Sequence, residues 1–450
     1  MKIKPTYSNI PDWEFYASAT ETEYRQSMDE GLDVETYKEL FDAISKLPKN
    51  EIKKKLGDVL FEIIRSADTR KGYKYIEPSD LDEIKKLAKD YPLYGKANPD
   101  TLEKKIYGAW MGRICGCMLG KTIEYMRTDE LIPFLKESGN YPMHRYIYKT
   151  DISDEICAKY KYQLSNRSYA DEIDGMPVDD DTNYVVMAQL LIEKYGRDFT
   201  PTDVSKLWAE CQGKEFYCTA ERVAFCNFIN GFEPPVSAVY KNPYREWIGA
   251  QIRGDYFGYI NPGNPKLASD MAWRDASISH TKNGIYGEMF VAAMIASAAV
   301  SDSIEDIILS GLSKIPSTSR LYEYVMSVVN DFKSGVTQNE CFEKIHKEFN
   351  EFDDHGWCHI IPNAMIVVAS LLYGKEDFGK SICMAVETGF DTDCNGATVG
   401  SLLGMKNGID SIDKYWTEPI KDTLHTSIFG VGTVKISDRV KITMKHILQN

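Results

Sequence analysis

The sequence has 450 residues, of which 43% are hydrophobic and 27% charged, so a disordered or fibrous protein is excluded. The formal net charge of −14 argues against nucleic-acid binding, because phosphates would be repelled and no long Lys/Arg block reverses the charge locally. The longest apolar run, 289–300, is too short for a membrane span, which needs roughly 20 residues. Residues 1–16 lack the apolar stretch of a secretory signal, so we expect a cytoplasmic protein with no nucleic-acid or membrane partner.

The ten cysteines lie scattered between Cys115 and Cys394. No pair has the spacing of a zinc finger or a redox motif. We therefore expect reduced thiols in the core, as is usual for a cytosolic protein.

The N-terminal part of the chain predicts a small helical appendage. Residues 20–90 are rich in Glu, Lys, Asp and Leu, and the stretches 34–44 and 49–66 carry apolar residues at helical spacing. The segment 90–100 is rich in turn-forming residues and ends in Asn-Pro-Asp, a helix-start signal. We place the domain boundary there, with an appendage at 1–100 and a catalytic domain at 101–450.

Helical patterns follow one another through the rest of the chain, and strand-like alternation is almost absent. This pattern predicts an all-α fold, a compact multi-helix bundle, rather than the alternating strands and helices of an α/β fold. The predicted helices span 101–119, 183–195, 203–211, 221–230, 284–300, 304–315, 341–349, 360–373, 377–387 and 395–403.

Two of these helices carry glycine every four residues, which places the glycines on one face. Each interior glycine costs about 0.8–1 kcal/mol of helix propensity relative to alanine, a cost that close helix packing can offset. If the two helices pack antiparallel, the end of the first, near Glu124, lies beside the start of the second, near Asp391 and Asp393. Packing of each stripe against some other neighbour stays equally open. The glycines are Gly108, Gly112, Gly116 and Gly120 in the first helix and Gly396, Gly400 and Gly404 in the second.

Two acidic clusters stand directly before apolar helices. The first is Asp179, Asp180 and Asp181, and the second contains Asp391 and Asp393. One or two such residues suffice for an N-cap, which is the ordinary role of each cluster alone. Neighbouring carboxylates repel unless a cation neutralises them, and oxygen-only ligands suit Mg²⁺. The joint occurrence of the two clusters therefore predicts a metal site.

These segments resemble the ADP-ribosylglycohydrolase family across roughly residues 103–410. The resemblance rests on Leu119-Gly120 followed by Glu124, on 180–182 (Asp-Asp-Thr), and on 389–394 (Gly-Phe-Asp-Thr-Asp-Cys). It implies an all-helical fold with two Mg²⁺ ions between the motifs. It also implies that Glu124 faces the scissile bond, and that Glu124, Asp180 and Asp393 are catalytic. The implied metal ligands are Asp180, Asp181, Asp391 and Asp393, to which we add Asp179.

The sequence departs from the family pattern at three positions, which indicates a divergent branch. Asp179 and Cys394 stand where the family has threonine, and Cys117 stands where it has an aspartate. A thiol is a poor Mg²⁺ ligand, so Asp179 is expected to compensate with a harder oxygen or Cys394 to face away from the metal.

Two polar stretches, 251–263 and 277–287, supply the residues that we expect to bind substrate. The second stretch resembles the family's Ser/Thr-His segment near bound substrate. Amide, phenol and backbone groups of this kind suit ribose hydroxyls and phosphate oxygens, although each residue singly also fits a capping or packing role. The expected substrate-binding residues are Asp255, Tyr259, Asn261, His280, Asn283, Gly284 and Tyr286.

Together these features predict a Mg²⁺-dependent glycohydrolase that cleaves an N- or O-glycosidic bond at ribose. The expected reaction releases ADP-ribose from a modified protein or a small molecule. One alternative is a hydrolase of a nucleoside or another small glycoside on the same fold. A second is a module that binds ADP-ribose or a nucleotide without cleaving it. A purely structural scaffold would leave the acidic clusters unexplained.

Overall fold

The computed structural model describes residues 5–92 and 95–449 of the chain. Within these residues, helices form nearly all of the regular structure, and the one sheet is a short antiparallel pair of strands. In that pair Leu424 lies opposite Val434. The all-α prediction is confirmed. Across the same residues, no helix is both long and apolar enough to cross a membrane.

The N-terminal appendage has four α-helices and a small core of its own. The helices are α1 (Thr20–Asp29), α2 (Lys38–Ser45), α3 (Glu51–Arg65) and α4 (Leu81–Leu87). The side chains of the small core come from α2, α3 and the segments before α1 and α2. They are Phe15, Ala17, Val34, Phe41, Ile44, Leu60 and Ile64.

The larger part of the chain contains every helix that the sequence predicted there, with ends shifted by a few residues. Its helices are α5 (Pro99–Lys121), α6 (Thr128–Glu137), α7 (Asp154–Lys159), α8 (Asp180–Tyr195), α9 (Pro201–Cys211), α10 (Thr219–Ile229), α11 (Val236–Val239), α12 (Asp255–Tyr259), α13 (Pro265–Ala276), α14 (Lys282–Ala298), α15 (Ile304–Leu312), α16 (Arg320–Lys333), α17 (Gln338–Glu348), α18 (Asp354–Cys358), α19 (Ile360–Tyr373), α20 (Phe378–Glu387), α21 (Thr392–Asn407), α22 (Lys414–Thr417) and α23 (Ile436–Leu448). The strands are β1 (Thr423–His425) and β2 (Thr433–Lys435).

Short 3₁₀ helices connect several of these elements. They are Asp12–Glu14, Tyr16–Ser18, Glu35–Tyr37, Lys149–Asp151, Lys214–Phe216, Ile248–Arg253, Ile409–Ser411 and Glu418–Ile420.

Helices α5 and α21 cross the core antiparallel, with their glycines face to face. A Cβ atom on Gly112 would come within 2.8 Å of the Gly400 carbonyl carbon, and one on Gly400 would come equally close to the Gly112 carbonyl carbon. At the end of α5, the Thr392 hydroxyl donates a hydrogen bond to the Gly120 carbonyl oxygen (3.0 Å). The predicted pairing of the two glycine stripes is therefore confirmed, and it brings the end of α5 to the start of α21.

Replacing Gly116 with alanine is expected to lower the free energy of unfolding by about 1–3 kcal/mol. The new Cβ would lie on the Gly396 backbone, so α5 and α21 would have to move apart. Urea unfolding of Gly116→Ala measures the loss. Gly213→Ala is the control, because a Cβ there meets only Phe429, at 3.8 Å. Equal stability of the two variants would contradict the close approach.

The appendage docks on the larger part of the chain through buried charged groups as well as apolar contacts such as that of Phe61 with Tyr240. The Arg320 guanidinium bridges Glu77 of the appendage (2.8 Å) and Glu246 (2.8 Å). Arg245 pairs in the same way with Glu23 (2.8 Å). The division of the chain at residue 100 stays a prediction, which the separate core of the appendage supports.

Candidate metal centre

Both acidic clusters begin helices, as their positions in the sequence predicted. Asp179 is the N-cap of α8, and its side chain accepts a hydrogen bond from the Asp181 amide (2.9 Å). Asp391 is the N-cap residue of α21, although its side chain makes no capping hydrogen bond, and Asp393 lies in the first turn. Since only one of these carboxylates caps its helix, capping does not account for the clusters.

The two helix starts meet in one buried cluster. Ligand atoms of Asp179, Asp181, Asp393 and Cys117 all lie within 4.8 Å of one another. Asp393 also belongs to a second such group, with Asp391 and Cys394. The antiparallel packing of α5 on α21 and the start of α8 thus bring together carboxylates that are about 210 residues apart in the chain.

Asp179 and Asp393 of this cluster line a cavity of about 250 Å³, whereas Asp181 and Cys117 lie outside its lining. Asp180 and Glu124 line this cavity together with Asp179, Asp391 and Asp393, so the structure brings every predicted catalytic residue to it. We call it the acidic cavity. A wider cavity of about 720 Å³, between α6, α17 and α20, is lined by neither aspartate cluster.

Burial and mutual repulsion make these carboxyl groups hard to ionise. Burial, with the charges of Asp179 and Asp393, raises the pKa of Asp180 to about 8, and burial with Asp179 raises the pKa of Asp393 to about 6. Burial is also the main cause that raises the pKa of Glu124 and Asp391 well above the ordinary range. Such a site gains by binding a cation.

Two basic side chains neutralise part of the cluster. The Lys121 ammonium lies 2.6 Å from Asp179. Burial opposes ionisation of Asp179, but Lys121 keeps its pKa below the ordinary value. Arg113, deep in the core, pairs with Asp181 (2.7 Å) and Asp255 (2.9 Å).

Among the other carboxylates that line the acidic cavity, Glu221 pairs with Arg253 (2.7 Å). The rest have no Lys or Arg within ion-pair distance among the described residues. Asp393 Oδ1 is buried and accepts no hydrogen bond from the described part of the chain. Asp393 is the residue that both ligand groups share, and an unsatisfied carboxylate oxygen on it fits a hard divalent cation.

The surroundings of the two cysteines, Cys117 and Cys394, disfavour thiolates in the metal-free site. Burial, together with the nearby aspartates, raises the pKa of Cys117 and Cys394 well above the ordinary value. The Cys394 thiol donates a hydrogen bond to Asp181 Oδ2 (3.2 Å). Oxygen donors therefore dominate the site, and Cys394 orients a carboxylate where a threonine was expected.

The residues that we expected to bind substrate lie elsewhere. All seven are buried, and none lines the acidic cavity. Their polar groups mostly have partners inside the protein: Asp255 pairs with Arg113, and the Tyr286 hydroxyl donates to the Pro78 carbonyl oxygen. A direct substrate role for them stays a prediction that the cavity lining does not support. They are Asp255, Tyr259, Asn261, His280, Asn283, Gly284 and Tyr286.

Sequence reasoning missed several residues of the acidic cavity. Lys121 directly follows the glycine stripe and lines the cavity. Arg113 lies outside the lining, but as a charge within an otherwise apolar and glycine-rich helix it could have indicated a buried counter-charge to Asp181. Glu221, Tyr125 and Trp357 also line the cavity, but they had no local signal.

A second group with metal-ligand composition lies between the appendage and the larger part of the chain. It comprises Asp29, His355 and His359. The Trp247 indole donates to His355 Nδ1 (3.1 Å), and the Ile361 amide donates to His359 Nδ1 (3.2 Å). These bonds place the proton of each ring on Nε2, where a metal would need a lone pair. This group is therefore a hydrogen-bond network that supports docking.

Three comparisons relate the chain to known proteins. A solved structure described as "ADP-ribosylglycohydrolase-related protein complex" is 14% identical, with a TM-score of 0.47, and the alignment covers 78% of this chain and 99% of that chain. No curated protein matches the sequence. The profile of the family described as ADP-ribosylglycohydrolase matches residues 98–442. The chain is therefore a hydrolase that belongs to the ADP-ribosylglycohydrolase family.

Proposed function

We propose that the starts of α8 and α21 bind two Mg²⁺ ions through their aspartates. The observation that carries this proposal is Asp393, whose carboxylate belongs to both ligand groups and has an unpartnered, buried oxygen. Asp180 and Asp391 line the cavity and supply further carboxylates. Asp181 belongs to one of the ligand groups but is paired with Arg113, as Asp179 is with Lys121. Mg²⁺ favours such oxygen donors and keeps bound waters for chemistry.

The reaction is hydrolysis of an N- or O-glycosidic bond at ribose, with release of ADP-ribose or a related sugar. When bound, the cations would hold the ribose hydroxyls and lower the pKa of a water molecule. Glu124 lines the same cavity at the end of α5, where it can orient the attacking water or transfer a proton. Membership of a glycohydrolase family and an acidic cavity deep enough for a ribose ring support this reaction.

A panel assay tests the proposal. The protein with Mg²⁺ is incubated with ADP-ribosylated proteins, ADP-ribose derivatives and nucleosides, and the released sugar is quantified with and without a chelator. Release of ADP-ribose that the chelator stops supports the proposal. Activity that persists without divalent ions overturns the metal mechanism, and binding without any release indicates a module that only binds the ligand.

The size of the acidic cavity favours a second candidate, a hydrolase of a nucleoside or another small glycoside. A volume of about 250 Å³ lies below the roughly 300–1,000 Å³ of typical ligand pockets, so it suits a ribose ring better than the whole of ADP-ribose. The same panel separates the two, because a nucleoside would then be cleaved faster than any ADP-ribose derivative.

The raised pKa values predict a distinctive pH dependence. Without Mg²⁺, the folded state holds protons on Asp180 and Asp393 that the unfolded chain releases near pH 4, so stability falls as pH rises from about 4 to about 8. Mg²⁺ requires the ionised groups and offsets this loss. Calorimetric scans at pH 5 and pH 8 should show a larger rise in Tm on adding Mg²⁺ at pH 8. A Mg²⁺ effect that is independent of pH, or equalled by NaCl of the same ionic strength, would contradict the prediction.

The thiols support the proposal of a cytoplasmic location. All ten cysteines are free, including the exposed Cys157 and Cys218. Exposed free thiols persist in a reducing compartment, which supports a cytoplasmic location.

A further inference from the structure

A second cavity, of about 460 Å³, adjoins the acidic cavity. Tyr125, Cys218 and Trp357 line both, so the two cavities lie on either side of the same side chains. The second cavity contains five aromatic residues in its lining, and we call it the aromatic chamber. They are Trp13, Tyr125, Tyr244, Trp247 and Trp357.

The appendage builds one wall of this chamber, through residues 12–22. This wall is firmly held at Trp13 and Glu14. The Tyr244 hydroxyl donates to the Trp13 carbonyl oxygen (2.6 Å), and the Arg222 guanidinium lies 4.5 Å from the centre of the Trp13 ring. Glu14 pairs with Lys214 (2.6 Å) and Arg222 (3.1 Å). The family match begins at residue 98, so the chamber depends on a part of the chain that lies outside the match.

The lining indicates which chemical group fits the chamber. Its ionisable groups include the carboxylates of Asp12 and Asp354 but, among the described residues, no Lys or Arg, which disfavours an anion. Aromatic faces suit a planar ring, which they contact by stacking or edge to face. The Trp357 indole N–H is buried and donates to no described residue, so it is free for an acceptor on that ring.

Tyr125 connects the chamber to the proposed chemistry. It directly follows Glu124, its backbone adopts the left-handed region (φ 70°), and its ring stacks on Trp357 with centroids 4.5 Å apart. Non-glycine residues rarely adopt this conformation, and strained backbone of this kind is enriched at functional sites. A group bonded to ribose beside Glu124 would therefore extend past Tyr125 into the chamber.

We infer that the aromatic chamber binds the leaving group of the substrate, and that this group is a planar aromatic or heteroaromatic ring without negative charge. The appendage, through Trp13, then selects which ribosides are cleaved. That the bound ring is a leaving group rests on the proposed function. That the chamber binds a planar ring does not depend on catalysis.

Isothermal titration calorimetry with three matched probes tests this inference. The probes are benzamide, its non-planar analogue cyclohexanecarboxamide, and anionic benzoate. The wild-type protein should bind benzamide at least about fivefold more tightly than either of the others. Trp13→Ala should weaken benzamide binding by a similar factor, and Trp13→Phe should restore most of it. Tyr37→Ala is the control, because Tyr37 is an exposed aromatic residue of the appendage outside the chamber.

Equal affinity for benzamide and cyclohexanecarboxamide, or no benzamide binding by the wild-type protein, would overturn the inference. So would benzamide affinity that is the same in Trp13→Ala, Trp13→Phe and the wild type. Asp393→Asn should lose turnover and still bind benzamide. If the wild-type protein binds benzamide but cleaves no riboside of the panel, the proposed function fails while the chamber stands.

Discussion

Asp393→Asn is expected to abolish turnover while the helical fold persists. Loss of a residue that only holds a metal ligand in place typically lowers activity about 10–100-fold. Asp393 provides the carboxylate that both ligand groups share, so the loss of activity should exceed that range. An amide keeps the shape of the side chain but neutralises no cation. Chelator-controlled assays of sugar release and circular dichroism measure the two effects.

The stability of the same variant separates a metal ligand from a structural residue. At pH 8 and without Mg²⁺, Asp393 is ionised in a crowded acidic site, since its pKa is raised only to about 6. Asparagine removes this repulsion, so Tm without Mg²⁺ should equal or exceed that of the wild type, while the rise in Tm on adding Mg²⁺ should shrink. Asp410→Asn, an exposed substitution beyond the far end of α21, is the control. Undiminished activity of Asp393→Asn would remove the mechanism.

Arg320→Ala is expected to lower the free energy of unfolding by about 3–5 kcal/mol, the second large effect. Arg320 is buried and pairs with Glu77 and Glu246, so its loss leaves two carboxylates without their main counter-charge. Burial opposes ionisation of Glu246, but Arg320, with His359 and Lys282, holds its pKa well below the ordinary value. Urea unfolding at pH 7 measures the loss, which should diminish at pH 5, where the carboxyls can protonate.

Lys74→Ala is the matched control for this prediction. Lys74 also joins the appendage to α16, through Glu323, but both side chains of that pair are more than half exposed. Exposed pairs contribute little to stability. If the two variants unfolded at the same urea concentration, the buried network would not be what holds the appendage in place.

Much of the fold could be predicted from the sequence because its signals are local. Asn98 caps α5 through the Asp100 amide (3.0 Å), as the Asn-Pro-Asp signal indicated. The four-residue spacing of glycines predicted a helix contact, because only close backbone approach offsets their cost. The helix α13 was missed, since charged residues such as Asp275, which is buried in the structure, interrupt its apolar positions. The helix α16 was missed as well, and its first residue, Arg320, is a buried charge.

The site was less predictable, because part of it depends on distant contacts. The aspartates stand out in the sequence because each helix start has more acidic residues than capping requires. The substrate-binding residues were expected from polar composition alone, but the structure uses such polar groups inside the core. Asn283 of α14, for example, donates a hydrogen bond to Glu77 and accepts one from the first turn of α16. Composition does not distinguish a buried network from an open site.

Diffraction from crystals grown with Mn²⁺ in place of Mg²⁺ tests the central claim most directly, because anomalous scattering locates the ion. We expect Mn²⁺ in the acidic cavity, at about 2.0–2.3 Å from carboxylate oxygens of both the α8 start and the α21 start, with Asp393 among them. Mn²⁺ held by only one of the two helix starts, or found only outside the acidic cavity, would contradict the account.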